Sequence, residues 1–315
     1  MVPPSLHRGD EGVGPTSGHP PRRRTDDNRA TARALRSGRM TPKSSSGPSS
    51  GSVSFDRAAG FYDSSRTLSP EGGARVTELL GAELAGRGRC LEIGVGTGRV
   101  ALPLHRSGLP MAGVDISPKM VDRLVEKAGG RPPFPLALAD ATALPFSDGT
   151  FGAALAAHVF HLIPPWRQGA VELARVVRPG GVVLVDLTRG GGQLFLDVRD
   201  RFAAAAGLER VHVGLMDFAE LDSFFASLGA TSRDLPSYEE RGRGSLEGQI
   251  ASLERGDFSY TWRLDDETRR RAAGEVRAWA KATYGSLARV RATSSVIAWR
   301  AYDRPGAGPG ARERE

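Results

Sequence analysis

Apolar runs that end abruptly in a glycine or a carboxylate, separated by stretches with helical spacing, organise the middle of the chain. Leu91-Glu-Ile leads into Gly94-Val-Gly96-Thr-Gly98, which reads as a strand entering a tight turn. Arg99 to Gly108 follows with the spacing of a short helix stopped by glycine. Met111-Ala-Gly-Val-Asp115 is a second strand closed by an acid, and Ser117-Pro118 opens the next helix, with serine as N-cap and proline at the first helical position. Leu136 to Asp140 is a third strand, Phe151 to Ala157 a fourth, ending near His158, and Gly181 to Asp186 a fifth, entered from the turn Arg178-Pro179-Gly180. Such alternation predicts a doubly wound α/β architecture, a mostly parallel sheet with helices on both faces. Ligands of these sheets bind at the carboxyl ends of the strands, where Glu92, Asp115, Asp140 and His158 all fall.

Past the fifth strand the pattern continues less regularly. Leu221 to Gly229 has helical spacing and a glycine stop, a sixth strand is expected around Ala230 to Arg241, and the alternation of Thr293 to Tyr302 predicts a seventh. Two helices near Ser245–Arg255 and Asp265–Tyr284 lie between the last two strands and form an added helical cover, with Tyr260 and Trp262 between them. The aromatic residues from Phe195 to Phe225 are read as core.

The glycine loop bears on the ligand. A dinucleotide fingerprint needs a third glycine three places after the second, and Arg99 stands there. A phosphate-cradling P-loop needs a Gly-Lys pair, and none of Lys43, Lys119, Lys127 and Lys281 follows a glycine. Asp115 sits at the place where nucleotide-binding α/β folds carry an acid for ribose hydroxyls.

Four segments in order, Leu91–Gly98, Gly113-Val-Asp-Ile-Ser117, Ala139-Asp-Ala-Thr-Ala-Leu-Pro-Phe146 and Leu173-Ala-Arg-Val-Val-Arg-Pro-Gly-Gly181, resemble the class I S-adenosylmethionine-dependent methyltransferases, in particular the broad type 11 set that includes small-molecule methylases. The resemblance implies a seven-stranded Rossmann-like sheet and S-adenosyl-L-methionine as cofactor. It implies that Gly94, Gly96 and Gly98 contact the methionine moiety through their backbone. Asp115, with Ile116 beside it, would bind the ribose, Asp140 and the Ala141 amide the adenine, while Glu92 would orient the loop or serve the cofactor's amino group through water. Tyr62, in Phe61-Tyr62-Asp63, would lie on a segment that closes over the methionine end, where an aromatic face attracts the sulfonium. Structural readings stand beside these: Asp115 and Asp140 as turn caps, Glu92 as a strand-end acid, and Phe61 and Tyr62 packing a helix on the sheet. His158 and His161 are the candidate bases for an acceptor that must lose a proton, because imidazole titrates near neutrality. Pro164-Pro165-Trp166 reads as a rigid loop beside the acceptor.

Composition narrows the remainder. The first 52 residues, rich in Pro, Gly, Ser and Arg, and the tail 304–315 are expected to be disordered, leaving 53–303 as the methyltransferase domain, with the substrate-side helices at about 190–290. Met40 is a second candidate start. A net charge of +7 and a pI near 10.0 invite a nucleic-acid reading, but the arginines are scattered and no binding signature accompanies them. No apolar run reaches the roughly 18 residues of a membrane span. The single cysteine, Cys90, fits a cytoplasmic protein, and His158-x-x-His161 lacks the partners of a zinc site, so no metal is expected. The sequence reading is therefore methyl transfer by direct displacement to a small-molecule partner. A nicotinamide-dependent oxidoreductase and a non-catalytic cofactor-binding regulator stand as alternatives.

Overall fold

The computed structural model describes residues 51–66, 68–188, 190 and 192–306. The expectations for residues 1–50, including Met40, and for 307–315 lie outside the described residues. Among these residues α1 (Tyr62–Arg66) and α2 (Pro70–Leu84) precede β1 (Cys90–Ile93), α3 (Ala101–Arg106), β2 (Met111–Asp115), α4 (Pro118–Lys127), β3 (Leu136–Leu138) and β4 (Phe151–Ala156). Then come α5 (Trp166–Val176), β5 (Val177–Asp186), α6 (Gly192–Ala205), α7 (Phe218–Ser227), β6 (Thr231–Asp234), β7 (Tyr238–Gly244), α8 (Leu246–Arg255), α9 (Asp266–Tyr284), β8 (Arg291–Ile297) and β9 (Trp299–Asp303).

Seven strands form one sheet in the order β3-β2-β1-β4-β5-β9-β6. β1 pairs in parallel with β2 and β4, and β4 with β5, whereas β9 runs antiparallel between β5 and β6. β1, β2 and β4 are buried along their whole length, as expected of central parallel strands covered on both faces. On one face Val76 and Leu80 of α2, Leu104 of α3 and Leu124 of α4 pack against Cys90, Leu155 and Leu184. On the other, Leu173 of α5 and Leu221 and Phe225 of α7 pack against Leu91, Ile93 and Val183. A third core joins α6, α8 and α9 through Phe202, Leu246, Ile250, Ala272 and Val276, and this is the helical cover.

The start signals act as read. Ser117 Oγ accepts the Met120 amide at 3.2 Å with Pro118 in the first turn, and Ser69-Pro70 does the same for α2, with Ser69 Oγ accepting the Gly72 amide at 3.0 Å. Trp166 begins α5 and is buried in the core, so Pro164-Pro165 forms its entry rather than a free loop. β5 starts at Val177, four residues ahead of the expected Gly181, because Val177 already pairs with Phe151 before a bulge that passes pairing on to Ala153 and Val182.

The sixth strand departs most from expectation. It breaks at Pro236, which has no N–H to donate to a ladder. Thr231 faces Asp303 before the break and Tyr238 faces Ile297 after it, seven residues forward on one strand against six back on the other. The extra residue bends the pair out of the sheet as a separate two-stranded ribbon, β7-β8. Tyr238 of that ribbon donates from its hydroxyl to the Gly72 carbonyl at 2.7 Å, tying it to the start of α2. Past β9, the Arg304 amide donates to the Gly181 carbonyl and the Pro305 carbonyl accepts from the Gly180 amide.

Candidate active site

The glycine loop is pinned to β2. The Val95 amide donates to the Val114 carbonyl at 2.9 Å, and the Gly96 amide donates to Asp115 Oδ2 at 2.8 Å. Gly94 has φ +62°, and a Cβ there would stand 2.7 Å from Val159 Cγ2, so both the backbone angle and the space demand glycine. The loop thus lies directly against the segment that leaves β4.

Asp115 is 8% exposed at the end of β2. Its second oxygen accepts the Ser117 amide at 2.8 Å, so it caps the following turn while holding the loop. Burial pushes its carboxyl above the usual range, against the pull of the Ser117, Gly96 and Ile116 amides. Ile116 beside it is 38% exposed. Asp140 is half-buried, and its Oδ1 accepts both the amide and the hydroxyl of Thr142, at 2.9 and 2.8 Å, an Asx turn that presents Ala141 between them.

Glu92 faces the core that contains α2 and α3, is 2% exposed, and leaves Oε2 buried with no hydrogen-bond partner. Burial drives its carboxyl up to about 8, with the Arg99 guanidinium and the Ala101 amide pulling down and Asp115 pushing up. At neutral pH it is therefore a protonated acid beside the loop.

The segment 51–63 runs over the strand ends like a strap. Ser52 Oγ reaches Asp140 Oδ1 at 3.5 Å, the Val53 amide donates to the Leu162 carbonyl at 3.1 Å, and Asp56 Oδ1 accepts from Ser117 Oγ at 2.6 Å and the Lys119 amide at 3.0 Å. Asp63 accepts from Thr97 Oγ1 at 2.6 Å and Lys127 Nζ at 3.0 Å, which closes α1 onto the glycine loop itself. Tyr62 is half-buried and meets Phe55 edge-on at 5.8 Å, and Phe55 in turn meets Trp262 of the cover at 4.9 Å. Strap, loop and cover are thus joined around the carboxyl ends of β1 to β4.

The two histidines part company. His158 Nε2 lies 2.9 Å from Asp186 Oδ2 at the end of β5, and the Thr188 amide donates to Asp186 Oδ1 at 2.7 Å. Burial would raise the Asp186 carboxyl, but His158 and Thr188 outweigh it and hold the group below its ordinary value. His158 has φ +51°, a backbone angle uncommon outside glycine. His161 turns instead towards His212, ring centroids 4.6 Å apart, at a small cavity of about 130 Å³ under the cover. Burial, with Arg199 and Arg263 nearby, lowers His212 to about 4. A larger cavity of about 850 Å³ lies between α2, α3 and the sheet and is lined by His158, Asp186, Arg99 and Trp299. Among the described residues no cluster of His, Cys, Asp and Glu is arranged to hold a metal ion.

Residues 91–185 match the family model described as "Methyltransferase domain". They belong to that domain family. The methyltransferase domain spans β1 to β5 and contains the glycine loop, Asp115, Asp140 and both histidines. A phosphatidylethanolamine N-methyltransferase from Cereibacter sphaeroides is 39% identical over 101 residues, covering 31% of this chain and 49% of that protein. A demethylmenaquinone methyltransferase from Clavibacter sepedonicus is 31% identical over 142 residues, covering 44% and 58%. The chain thus spans about half the length of the curated relatives it matches. The YcgJ protein from Bacillus subtilis shares the fold, with TM-score 0.51 and 18% identity, over 74% of this chain and 100% of that one.

Sequence reasoning did not single out Asp186, Asp56 or Asp63 as site residues. Asp186 carried the signal that marked Asp115, an apolar strand closed by a carboxylate. Asp56 and Asp63 had no such pattern, since their partners lie 61 and 34 residues away in sequence.

Proposed function

We propose that the chain is an S-adenosylmethionine-dependent methyltransferase acting on a small molecule. The observation that carries this reading is the Asp115 carboxylate, which binds the glycine loop through one oxygen and the α4 turn through the other. Each carboxylate oxygen has a further lone pair, so the group that fixes the loop also accepts from a ribose.

The surrounding residues suit that cofactor. The tight approach of Gly94 to Val159 leaves a backbone cradle without side chains. The resemblance would put the adenine beside Ile116 and Ala141 with Asp140 at its edge, and the methionine end along the backbone of Gly96 and Gly98, whose Cα hydrogens face Met120 and Leu124. The unpartnered Oε2 of Glu92 offers an acceptor for an ammonium group, and Tyr62 on the strap supplies an aromatic face for a cation. S-adenosylmethionine, when bound, supplies a methyl group activated by a neighbouring sulfonium. The chain's own task is to align the acceptor, exclude water beneath the strap and remove a proton where the acceptor must lose one. Of the two candidate bases, His158 lines the larger cavity beside the glycine loop, whereas His161 lies at the separate small cavity against His212.

Among the described residues no helix is long and apolar enough to cross a membrane. The single cysteine, Cys90, is fully buried and its thiol is pushed up by burial, which makes it an inert core residue. Calorimetric titration with S-adenosylmethionine tests the proposal. Saturable binding is expected, and absence of binding by the folded chain refutes it.

A further inference from the structure

We propose that the cavity between α2 and α3 is the acceptor site, and that it takes a largely apolar molecule with an acidic hydroxyl, deprotonated by His158 and methylated on that oxygen. Asp186 is the positioning residue. This rests on the methyltransferase reading above.

The cavity, about 850 Å³, is of the size that encloses small organic ligands. Gly73, Thr77 and Gly81 line one side at four-residue spacing along α2, Pro103 the other, and Ile297 and Trp299 the sheet wall. No atom comes within 4 Å of a Cβ built on Gly73 or Gly81, so these glycines hold open space rather than a helix contact. Its charged lining comes from Glu78 on α2, Arg99 after the glycine loop, and the His158–Asp186 pair. The pair's end of the cavity adjoins the cradle proposed for the methyl donor, because the residue after His158, Val159, packs on Gly94.

The pair is built as a base. Asp186 is 7% exposed and fixed by the Thr188 amide, so it does not swing away. A proton on His158 Nε2 is held by its oxygen at 2.9 Å, which leaves Nδ1 with the free lone pair. His158 is kept in a left-handed backbone conformation at φ +51°, strain of the kind that collects at functional sites. Asp186 from β5 faces the imidazole directly. Arg99 from the loop after β1 and the exposed Glu78 of α2 line the same cavity, and Tyr238 of β7 is near enough to Asp186 and Arg99 to feel both charges. An ammonium acceptor finds only the exposed Glu78 carboxylate on α2, since Trp299 is the one Phe, Tyr or Trp ring in the lining and Asp186 is already engaged by His158. A hydroxyl on an apolar body meets both a base and an apolar wall.

In the step, the acceptor oxygen forms a bond to the methyl carbon as the methyl–sulfur bond breaks, with that electron pair passing to sulfur. The hydroxyl proton goes to Nδ1 of His158, and the resulting imidazolium is stabilised by Asp186.

The test uses the full-length chain, methyl-labelled S-adenosylmethionine and three probes: an alkylphenol, a nitrophenol already ionised at the assay pH, and an alkylamine. Expected is a labelled methyl ether from the phenols. For the alkylphenol, His158→Gln should lower kcat at least 100-fold at pH 7 with recovery as the pH nears the phenol's own pKa, and it should change nitrophenol turnover less than 5-fold. Asp186→Asn should lower kcat about 10-fold and move the basic group's limb of the pH profile to lower pH. Gly81→Leu should fill the cavity, weakening alkylphenol binding at least 10-fold, read by calorimetry without cofactor, while the affinity for S-adenosylmethionine stays within 2-fold. Equal losses for both phenols in His158→Gln, labelling of the amine or of a ring carbon, no labelled phenol from a chain that binds the cofactor, or unchanged alkylphenol binding in Gly81→Leu would each overturn the proposal. Failure to bind S-adenosylmethionine at all would instead remove the reading on which it rests.

Discussion

Replacing Glu92 by Gln should make the ligand-free protein less sensitive to alkaline pH. Glu92 is fully buried with an unpartnered oxygen, and its carboxyl is raised from 4.5 to about 8. Between those values the folded chain keeps a proton that the unfolded chain has released. Stability from this group is therefore greatest below pH 4.5, falls as the pH rises towards 8, and levels off above it. The interval is about 3.5 pH units, which at about 1.36 kcal/mol per unit amounts to on the order of 5 kcal/mol. Glutamine has nearly the shape of the protonated acid and does not titrate. Urea denaturation of both proteins at pH 5, 7 and 9 reads the effect as a difference, in which the other titrating groups cancel. The variant should gain several kcal/mol on the wild type between pH 5 and 9. In the presence of S-adenosylmethionine, an ammonium partner for Oε2 should ionise Glu92, so wild-type binding at pH 7 releases a proton and binding by Glu92→Gln does not. Titrations in buffers of different ionisation enthalpy detect that proton. Parallel stability profiles for the two proteins would refute the assignment of Glu92 as a buried neutral acid.

Gly94→Ala should destabilise the fold by about 1–3 kcal/mol in thermal unfolding, because it combines φ +62° with a Cβ 2.7 Å from Val159; adding Val159→Ala should recover the steric part only. Asp63→Asn should free the strap from Thr97 and Lys127, speeding amide exchange in residues 51–66 and cofactor release while changing global stability by less than about 1 kcal/mol. Arg269→Met should cost about 3 kcal/mol, because this buried guanidinium donates to the carbonyls of Glu254 and Leu264 that close the cover between α8 and α9; an unchanged denaturation midpoint would contradict that role.

What could be read from the sequence was local. Asp115 and Asp140 were legible because each closes an apolar run; Asp115 is the last residue of β2, while β3 ends at Leu138 and Asp140 stands in the Asx turn that follows. The α8 and α9 helices were legible from Ser245 and Asp265, which the structure shows accepting amides from Gly248 and Thr268. The α2 helix carries the same kind of signal in Ser69-Pro70, but Gly72, Gly73 and Gly81 interrupt its apolar stripe. Gly73 and Gly81 line a cavity, and Gly72 makes room for Glu240 and Tyr238 of β7. The break of the sixth strand was written in Pro236, yet the bend it causes depends on pairing with residues near Ala298. The His158–Asp186 pair depends on β4 and β5 lying side by side, with Ala156 opposite Val185, a relation no spacing within either segment contains. The closure of the strap depends likewise on Asp56 and Asp63 meeting partners on α4 and on the glycine loop.

The central claim is that Asp115 and the loop it holds form the site of S-adenosylmethionine. Calorimetric titration of the wild type and of Asp115→Asn, with a nicotinamide dinucleotide as control, tests it most directly. Asparagine cannot accept from the Gly96 and Ser117 amides through two oxygens. The expected result is saturable binding of S-adenosylmethionine by the wild type, none of the dinucleotide, and at least tenfold weaker binding by the variant, about 1.4 kcal/mol. Equal affinity in the two proteins, or binding of the dinucleotide alone, would contradict the account.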